Sequence, residues 1–262
     1  MSSLTIPSLD LGRLDAGESE RAEVLAELRD ASRRVGFFYL TNHGIEQDLL
    51  DGLMTCAARF FALPEPDKRA LDMVNSRHFR GYTRLAGERT RGSQDWREQI
   101  DIGAEQPPLA QLAGAPAWTR LQGPNQWPSA LPELRPAVTG WQAAATRVLS
   151  RLLRAFASSL GQSEDALEHL YRDSPHILIK LICYPGREHT GSDQGVGAHK
   201  DSGLLSLLLQ DEQGGLQVET TLLREVGQNY LKGRLRSHPD VARRHFADLI
   251  HPGAPVEAFS GY

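Results

Sequence analysis

The apolar pattern of this chain changes its period at His176. Before that residue, apolar side chains recur at the spacing of an amphipathic helix in three stretches: 20–35, 46–61 and 138–160. The sequence from Ile177 to Tyr184 is instead rich in β-branched residues and is followed by a Pro-Gly pair, which is typical of a strand. Helices in the first part and strands in the second predict an α+β protein.

Weaker patterns predict the smaller elements. Short apolar runs predict strands at 37–40, 98–102, 204–209 and 216–218. Acidic residues after Ser163 mark the start of a further helix, and a last helix is predicted over 240–249. Apart from the strand at 98–102, residues 75–127 are rich in Gly, Pro and Arg and are predicted to be irregular.

The composition excludes several classes of protein. With 40% hydrophobic and 24% charged residues over 262 positions, the chain is neither disordered nor fibrous. A net charge of -4 leaves no broad basic surface for nucleic acid, and no apolar run is long enough to span a membrane. Two cysteines, Cys56 and Cys183, are too few for a disulfide framework. We therefore expect a cytoplasmic protein that binds neither nucleic acid nor membrane.

The best candidate for chemistry is the tripeptide His199-Lys200-Asp201. Residues i and i+2 of an extended segment project to the same face, so an imidazole and a carboxylate at this spacing can bind one ion. This pair of donors suits Fe(II), Mn(II) or Zn(II). The same spacing in His238-Pro239-Asp240 stands at a predicted helix start, where Pro and Asp have ordinary capping roles.

Long stretches of the sequence are similar to a known family. They are Gly197–Asp211 followed by Gly214–Val218 and, far upstream, Ile6–Leu11 with Gly36–Ile45. In residues, order and spacing they resemble the Fe(II)/2-oxoglutarate-dependent oxygenases, specifically the isopenicillin N synthase-like branch.

The resemblance implies a double-stranded β-helix, or jelly roll, with flanking helices, in which two histidines and one carboxylate hold Fe(2+). His199 and Asp201 would be two of these metal ligands. Tyr184 would contact the co-substrate 2-oxoglutarate, and O2 would be the second co-substrate. By the same resemblance, His43 belongs to a supporting turn and not to the metal site.

The resemblance also divides the chain into four segments: an N-terminal α/β region (1–105), a connecting segment with long helices (106–175), a partial jelly-roll core (176–219) and a C-terminal helical tail (220–262). Part of the jelly roll is missing after Val218, and with it the distal histidine and the Arg-x-Ser motif that binds the 2-oxoglutarate carboxylate. His251 is a weak candidate for the third metal ligand.

Three explanations for the missing stretch stay open: a deletion that disables the enzyme, a remodelled site, or unobserved residues between two joined segments. The third predicts that consecutive Cα atoms between Val218 and Leu223 lie much farther apart than the roughly 3.8 Å of a trans peptide.

The sequence thus predicts a non-haem Fe(II)- and 2-oxoglutarate-dependent oxygenase that hydroxylates, desaturates or cyclises a small organic molecule. The alternative is a catalytically impaired or inactive remnant of this family. A cupin-like Zn or Mn protein would fit a jelly roll but not the match over Gly36–Ile45. The sequence does not specify the substrate or the oligomeric state.

Overall fold

The structure is a computed structural model that describes residues 5–109, 116–173, 175–192, 194–201, 203–218 and 237–245. Its helices are α1 Glu18–Arg34, α2 Gln47–Phe61, α3 Glu65–Arg69, α4 Leu134–Ser159, α5 Arg187–Thr190 and α6 Pro239–His245. Its strands are β1 Ser8–Asp10, β2 Tyr39–Thr41, β3 Gly81–Thr83, β4 Arg89–Thr90, β5 Ser93–Gln94, β6 Glu98–Gly103 and β7 Leu178–Cys183. None of the described helices is long and apolar enough to cross a membrane.

The chain divides into two compact units. The first comprises Met1–Met54, Val138–Pro175 and Leu205–Glu225. The second comprises Thr55–Ala137, His176–Leu204 and Val226–Tyr262.

The first unit is built around the apolar stripe of α1. Val24, Leu28 and Ala31 recur at helical spacing and are buried. Strands β1 and β2 pair in parallel, with Leu9 opposite Leu40. The core joins side chains from β1, α1, α4 and the 3-10 helix Leu11–Asp15: Leu9, Leu11, Leu14, Val24, Leu28, Val148, Leu152 and Ala155. The helices predicted over 20–35, 46–61 and 138–160 are thereby confirmed as α1, α2 and α4.

In the turn after β2, the side chain of His43 is hydrogen-bonded to the backbone. Its Nδ1 accepts a hydrogen bond from the Ile45 amide at 3.1 Å. Asn42, which adopts a φ of 49°, donates from Nδ2 to Asp10 Oδ2 at 2.8 Å. His43 is therefore a structural turn residue, as predicted.

The second unit contains an antiparallel sheet in the order β3-β6-β7. On one of its faces, Tyr82, Ile100 and Leu181 lie next to each other in register and are buried. The ring of Phe60, near the end of α2, packs edge-on against Tyr82 with 6.1 Å between centroids. This face is an apolar core, so the side chains at alternate positions of β6 lie on the opposite face of the sheet.

Strands were predicted correctly where a partner strand is available. The runs 98–102 and 177–184 form β6 and β7, which pair over their full length. The predicted strand at 37–40 forms as β2, shifted by about one residue within the usual uncertainty of element ends.

The strands predicted at 204–209 and 216–218 do not form, and this part of the prediction was wrong. Neither run makes a backbone ladder with another strand of the described residues, and a strand without a ladder leaves its N–H and C=O groups unpaired. The leucines that were expected in a jelly-roll core are solvent-exposed, Leu204 by 55%, Leu208 by 60% and Leu216 by 52%.

Two other predictions of secondary structure were also wrong. The segment after Ser163 forms turns and the short 3-10 helix Glu168–Leu170 in place of a helix, and the Ser163 hydroxyl bonds to the Asp165 carboxylate. Within 75–127, β3, β4 and β5 form where irregular structure was predicted. The chain between Val218 and Leu223, where the Cα-separation prediction falls, lies outside the described residues, as does His251.

Candidate metal centre

Buried polar side chains cover one face of the sheet in the second unit. Gln99 and Asp101 of β6 are fully buried and alternate with Ile100 and Ile102, so the polar pair lies on the face opposite the apolar core. Lys180 of β7 lies across from Asp101 in the ladder, and its Nζ is 3.7 Å from Asp101 Oδ2. Buried charges are tolerated only where they are paired, and the charged side chains on this face form a network of ion pairs and hydrogen bonds.

Glu88 stands at the centre of this network. Its carboxylate lies 2.8 Å from Arg97 Nη2, 3.3 Å from Lys180 Nζ and 3.1 Å from His238 Nε2. Burial by itself raises the pKa of Glu88, but the hydrogen bond with His238 and the charges of Lys180 and Arg97 outweigh it and hold this pKa far below its usual range. Glu88 is therefore an anion that neutralises the positive charges around it.

Arg97 links the network to Tyr184, which follows β7. Its Nη1 donates to the Tyr184 hydroxyl at 3.2 Å, and its Nη2 lies 3.5 Å from Asp95 Oδ2. Burial lowers the pKa of Arg97, but the charges of Glu88 and Asp95 and the interaction with Tyr184 together outweigh it, so the pKa is raised and the guanidinium stays charged. Tyr184 is itself 49% exposed, so the network reaches the surface at this residue.

His199 and Asp201 lie together on an irregular loop, where the sequence analysis assumed an extended segment. His199 Nε2 is 3.4 Å from Asp201 Oδ1. Two donors bound to one ion at 2.0–2.2 Å lie about 3.0 Å apart at a right angle and about 3.4 Å apart at the tetrahedral angle. The pair therefore has the separation of neighbouring ligands, and half-exposed side chains leave it open to solvent.

Backbone contact fixes the orientation of the His199 ring. Its Nδ1 lies 2.9 Å from the carbonyl oxygen of Gly197. Because a carbonyl only accepts, Nδ1 carries the hydrogen, and Nε2 faces Asp201. The hydrogen bond with Asp201 raises the pKa of His199, while burial and the charge of Arg97 lower it in part. The influence of Arg97 connects the His199-Asp201 pair to the buried network.

No group of three His, Cys, Asp or Glu side chains is arranged to hold a metal ion within the part of the chain that the structure describes. His238 is buried against Glu88 and the ring of Phe79. His245 Nε2 lies 2.9 Å from the carbonyl oxygen of Val74. Both histidines thus have structural partners, and His199 with Asp201 stays the candidate pair of metal ligands among the residues described.

The sequence analysis missed the residues that support this pair. Glu88, Asp95 and Arg97 were not identified as a cluster, because Glu88, at its centre, also pairs with Lys180 and His238 from distant parts of the chain. A local signal was nevertheless present, since polar residues at 97, 99 and 101 alternate with Ile100 and Ile102. When both faces of a strand are buried and one of these faces carries charged residues, that face is a candidate part of a functional site.

Comparison with known proteins identifies the family. Residues 6–130 match the family described as non-haem dioxygenase in morphine synthesis N-terminal, and residues 174–240 match the 2OG-Fe(II) oxygenase superfamily. The chain is 36% identical to the 2-oxoglutarate-dependent dioxygenase frbJ of Dothideomycetidae sp. (strain 11243), over 84% of this chain and 60% of that protein.

Two further curated relatives are similar to this chain in sequence. The chain is 32% identical to Homoarginine-6-hydroxylase 2-ODD-C23.1 of Arabidopsis thaliana, over 79% of this chain and 65% of that protein. It is 30% identical to the Probable iron/ascorbate oxidoreductase of Dictyostelium discoideum, over 84% of this chain and 68% of that protein. The chain thus spans between 60% and 68% of the length of these three relatives.

Solved structures agree with this assignment at the level of the fold. A full-length Neurospora crassa protein, solved in complex with alpha-KG and thymine, has a TM-score of 0.62 at 22% identity, over 77% of this chain and 63% of that one. A 2OG-Fe(II) oxygenase family protein from Caulobacter crescentus has a TM-score of 0.57 at 22% identity, over 69% and 56%. The chain therefore belongs to the 2OG-Fe(II) oxygenase superfamily, a family of jelly-roll enzymes that use Fe(II), 2-oxoglutarate and O2.

Proposed function

We propose that this chain is a non-haem Fe(II) oxygenase of a small organic molecule, with 2-oxoglutarate as co-substrate and His199 and Asp201 as metal ligands. The observation that carries the proposal is the distance of 3.4 Å between His199 Nε2 and Asp201 Oδ1, on a ring that Gly197 orients. An imidazole nitrogen beside a carboxylate oxygen is a donor set that suits Fe(II). When bound, the iron would supply the activation of O2.

The residues around the pair have separate roles in this proposal. The Gly197 carbonyl holds the hydrogen on His199 Nδ1 and so presents Nε2 to the metal. Tyr184, whose hydroxyl accepts from Arg97, is proposed to contact 2-oxoglutarate. Arg97 stays charged beside Glu88 and fixes the Tyr184 hydroxyl in one orientation. The segment 176–219 would then form the oxygenase core, supported by the segments before and after it.

The names of the curated relatives suggest a substrate class. Homoarginine-6-hydroxylases from Arabidopsis thaliana, Glycine max and Oryza sativa are 30–34% identical to this chain. A 1-aminocyclopropane-1-carboxylate oxidase of Dictyostelium mucoroides is 25% identical over 82% of the chain. We propose that this chain belongs to the isopenicillin N synthase-like branch and that its reaction is the hydroxylation of a small polar molecule.

A second candidate function is a remnant that no longer turns over substrate. The observation that favours it lies in the sequence: relative to the family that the chain resembles, the stretch after Val218 that would carry a distal histidine and an Arg-x-Ser motif is missing. An ion held by two ligands is bound less firmly than one held by three, so the two candidates differ in metal affinity.

Anaerobic titration with Fe(II) and 2-oxoglutarate distinguishes the two functions. Chelation of the co-substrate to iron gives a visible charge-transfer band, which we expect in the wild type and not in His199→Ala. His189→Ala is the matched control, because His189 is exposed and its ion pair is with the neighbouring Glu188, so the band should persist. Succinate formed in air in proportion to O2 consumed would establish turnover. A wild type without the band, unchanged by His199→Ala, would favour the remnant.

A further inference from the structure

The loop that carries the candidate ligands is seated against the rest of the second unit through two glycines. A Cβ atom built on Gly195 would lie 2.4 Å from Cδ1 of the Tyr184 ring. A Cβ atom built on Gly197 would lie 2.9 Å from Cγ2 of Thr90 in β4. Both distances are shorter than real Cβ contacts, so the absence of a side chain lets the loop backbone approach these two residues closely.

A buried carboxylate lies beneath this loop. Asp95 is fully buried, and its Oδ1 accepts a hydrogen bond from the Gly197 amide at 3.3 Å. Its Oδ2 accepts from the Thr90 hydroxyl at 2.8 Å and lies 3.5 Å from Arg97 Nη2. Partners on both oxygens allow one orientation of the carboxylate, so the position of the Gly197 amide is set by β4 and by Arg97.

Gly197 connects Asp95 to His199. Its N–H donates to the Asp95 carboxylate, and its carbonyl oxygen accepts from His199 Nδ1. A displacement of Gly197 would therefore release the imidazole ring as well as the loop. Hydrogen bonds behind a metal-binding histidine fix both its tautomer and its orientation.

We propose that Asp95 is a positioning residue: through the Gly197 amide it seats the loop 195–201 and so holds the His199 ring with Nδ1 toward the Gly197 carbonyl and Nε2 toward the metal. The proposal rests on the proposed function, in which His199 binds the metal. Asp95 itself touches neither metal nor substrate, and it acts through one backbone residue.

The test measures the seating of the loop in metal-free protein and its metal affinity separately. Amide hydrogen exchange reports how often the Gly197 N–H leaves the Asp95 carboxylate. We expect this amide to be protected in the wild type and to exchange at least about 10-fold faster in Asp95→Ala. Binding of Co(II), followed by its visible absorption, should be weaker by about 10- to 100-fold in Asp95→Ala. The matched control is Asp101→Asn, a change of an equally buried acid that bonds to Gln99 and not to the loop.

Asp95→Asn separates positioning from stability. Its amide oxygen still accepts from Gly197, so the Gly197 exchange rate should stay close to that of the wild type, while the loss of charge beside Arg97 lowers the Tm. Asp95→Ala with an unchanged Gly197 exchange rate, or Asp101→Asn with equally faster exchange, would overturn the proposal, and so would Asp95→Asn with faster exchange. A wild type whose Gly197 amide is protected but which binds no Co(II) would refute the proposed function and leave the positioning role standing.

Discussion

Replacing Glu88 by Gln should strongly destabilise the fold, because it removes the anion that neutralises the buried network. The side chain of Glu88 is 5% exposed, and those of Arg97 and Lys180 are 8% and 23% exposed. Gln keeps the shape but leaves these two cations without the carboxylate at their centre. Breaking a buried ion pair by removing one partner costs about 3–5 kcal/mol. For a chain of this length each kcal/mol lowers the Tm by about 2–4 °C, so the expected decrease is about 6–20 °C.

The same variant predicts a pH dependence of stability. The pKa of Glu88 in the folded state lies far below its usual range. Its contribution is therefore fully present above the ordinary carboxylate pKa of about 4.3, and it is lost progressively as the pH falls toward the lowered value. The difference in unfolding free energy between wild type and Glu88→Gln should thus shrink below pH about 4.

Urea unfolding followed by circular dichroism measures both effects. Glu23→Gln is the control, because the exposed pair between Glu23 and Arg13 contributes little and its loss should leave the transition nearly unchanged. The reasoning is refuted if Glu88→Gln lowers the unfolding free energy by less than about 1 kcal/mol, or if the difference from wild type does not shrink in acid.

Three further changes test other parts of the structure. Gly197→Ala places a Cβ 2.9 Å from the Thr90 methyl, which should displace the loop that carries His199. Calorimetry should therefore show weaker Co(II) binding, and an unchanged affinity would contradict the close contact between the loop and Thr90. Burial and the adjacent Glu98 raise the pKa of Tyr82, so its contribution to the unfolding free energy is full below pH about 10 and is lost progressively above it. The urea midpoint of Tyr82→Phe should therefore fall less in alkali than that of the wild type. Parallel curves of midpoint against pH would exclude this. Asp10→Ala removes the cap on the Gly12 amide and should cost about 1 kcal/mol in urea unfolding, whereas no loss would show that the cap is dispensable.

Sequence reasoning succeeded where a local pattern determines the element. The apolar stripe Val24, Leu28 and Ala31 repeats at helical spacing, and α1 forms as predicted. This helix buries a face that the sequence alone defines, so no knowledge of the partner was needed. The β-branched run before Pro185 forms β7 as predicted, with β6 as its partner strand.

It failed where the outcome depends on a partner elsewhere in the chain. The run 204–209 has the composition of a strand, but its backbone finds no ladder among the described residues, and Leu204 and Leu208 remain exposed. Composition describes the preference of a segment, while hydrogen-bond partners decide whether a strand forms.

The candidate site also has one part that the sequence predicts and one part that it does not. His199 and Asp201 are two residues apart, so their proximity follows from local geometry and was predicted. The buried network was not predicted, since Glu88 meets Lys180 and His238 only through the tertiary fold. The role of His199 and Asp201 as ligands stays a prediction that metal binding must test.

The most direct test of the metal site is a crystal structure of the protein soaked anaerobically in Fe(II), with the iron located by its anomalous scattering. We expect one iron peak at about 2.0–2.2 Å from both His199 Nε2 and an Asp201 carboxylate oxygen. An iron peak at another site, or His199 and Asp201 turned away from each other in the iron-loaded crystal, would contradict the proposed metal site.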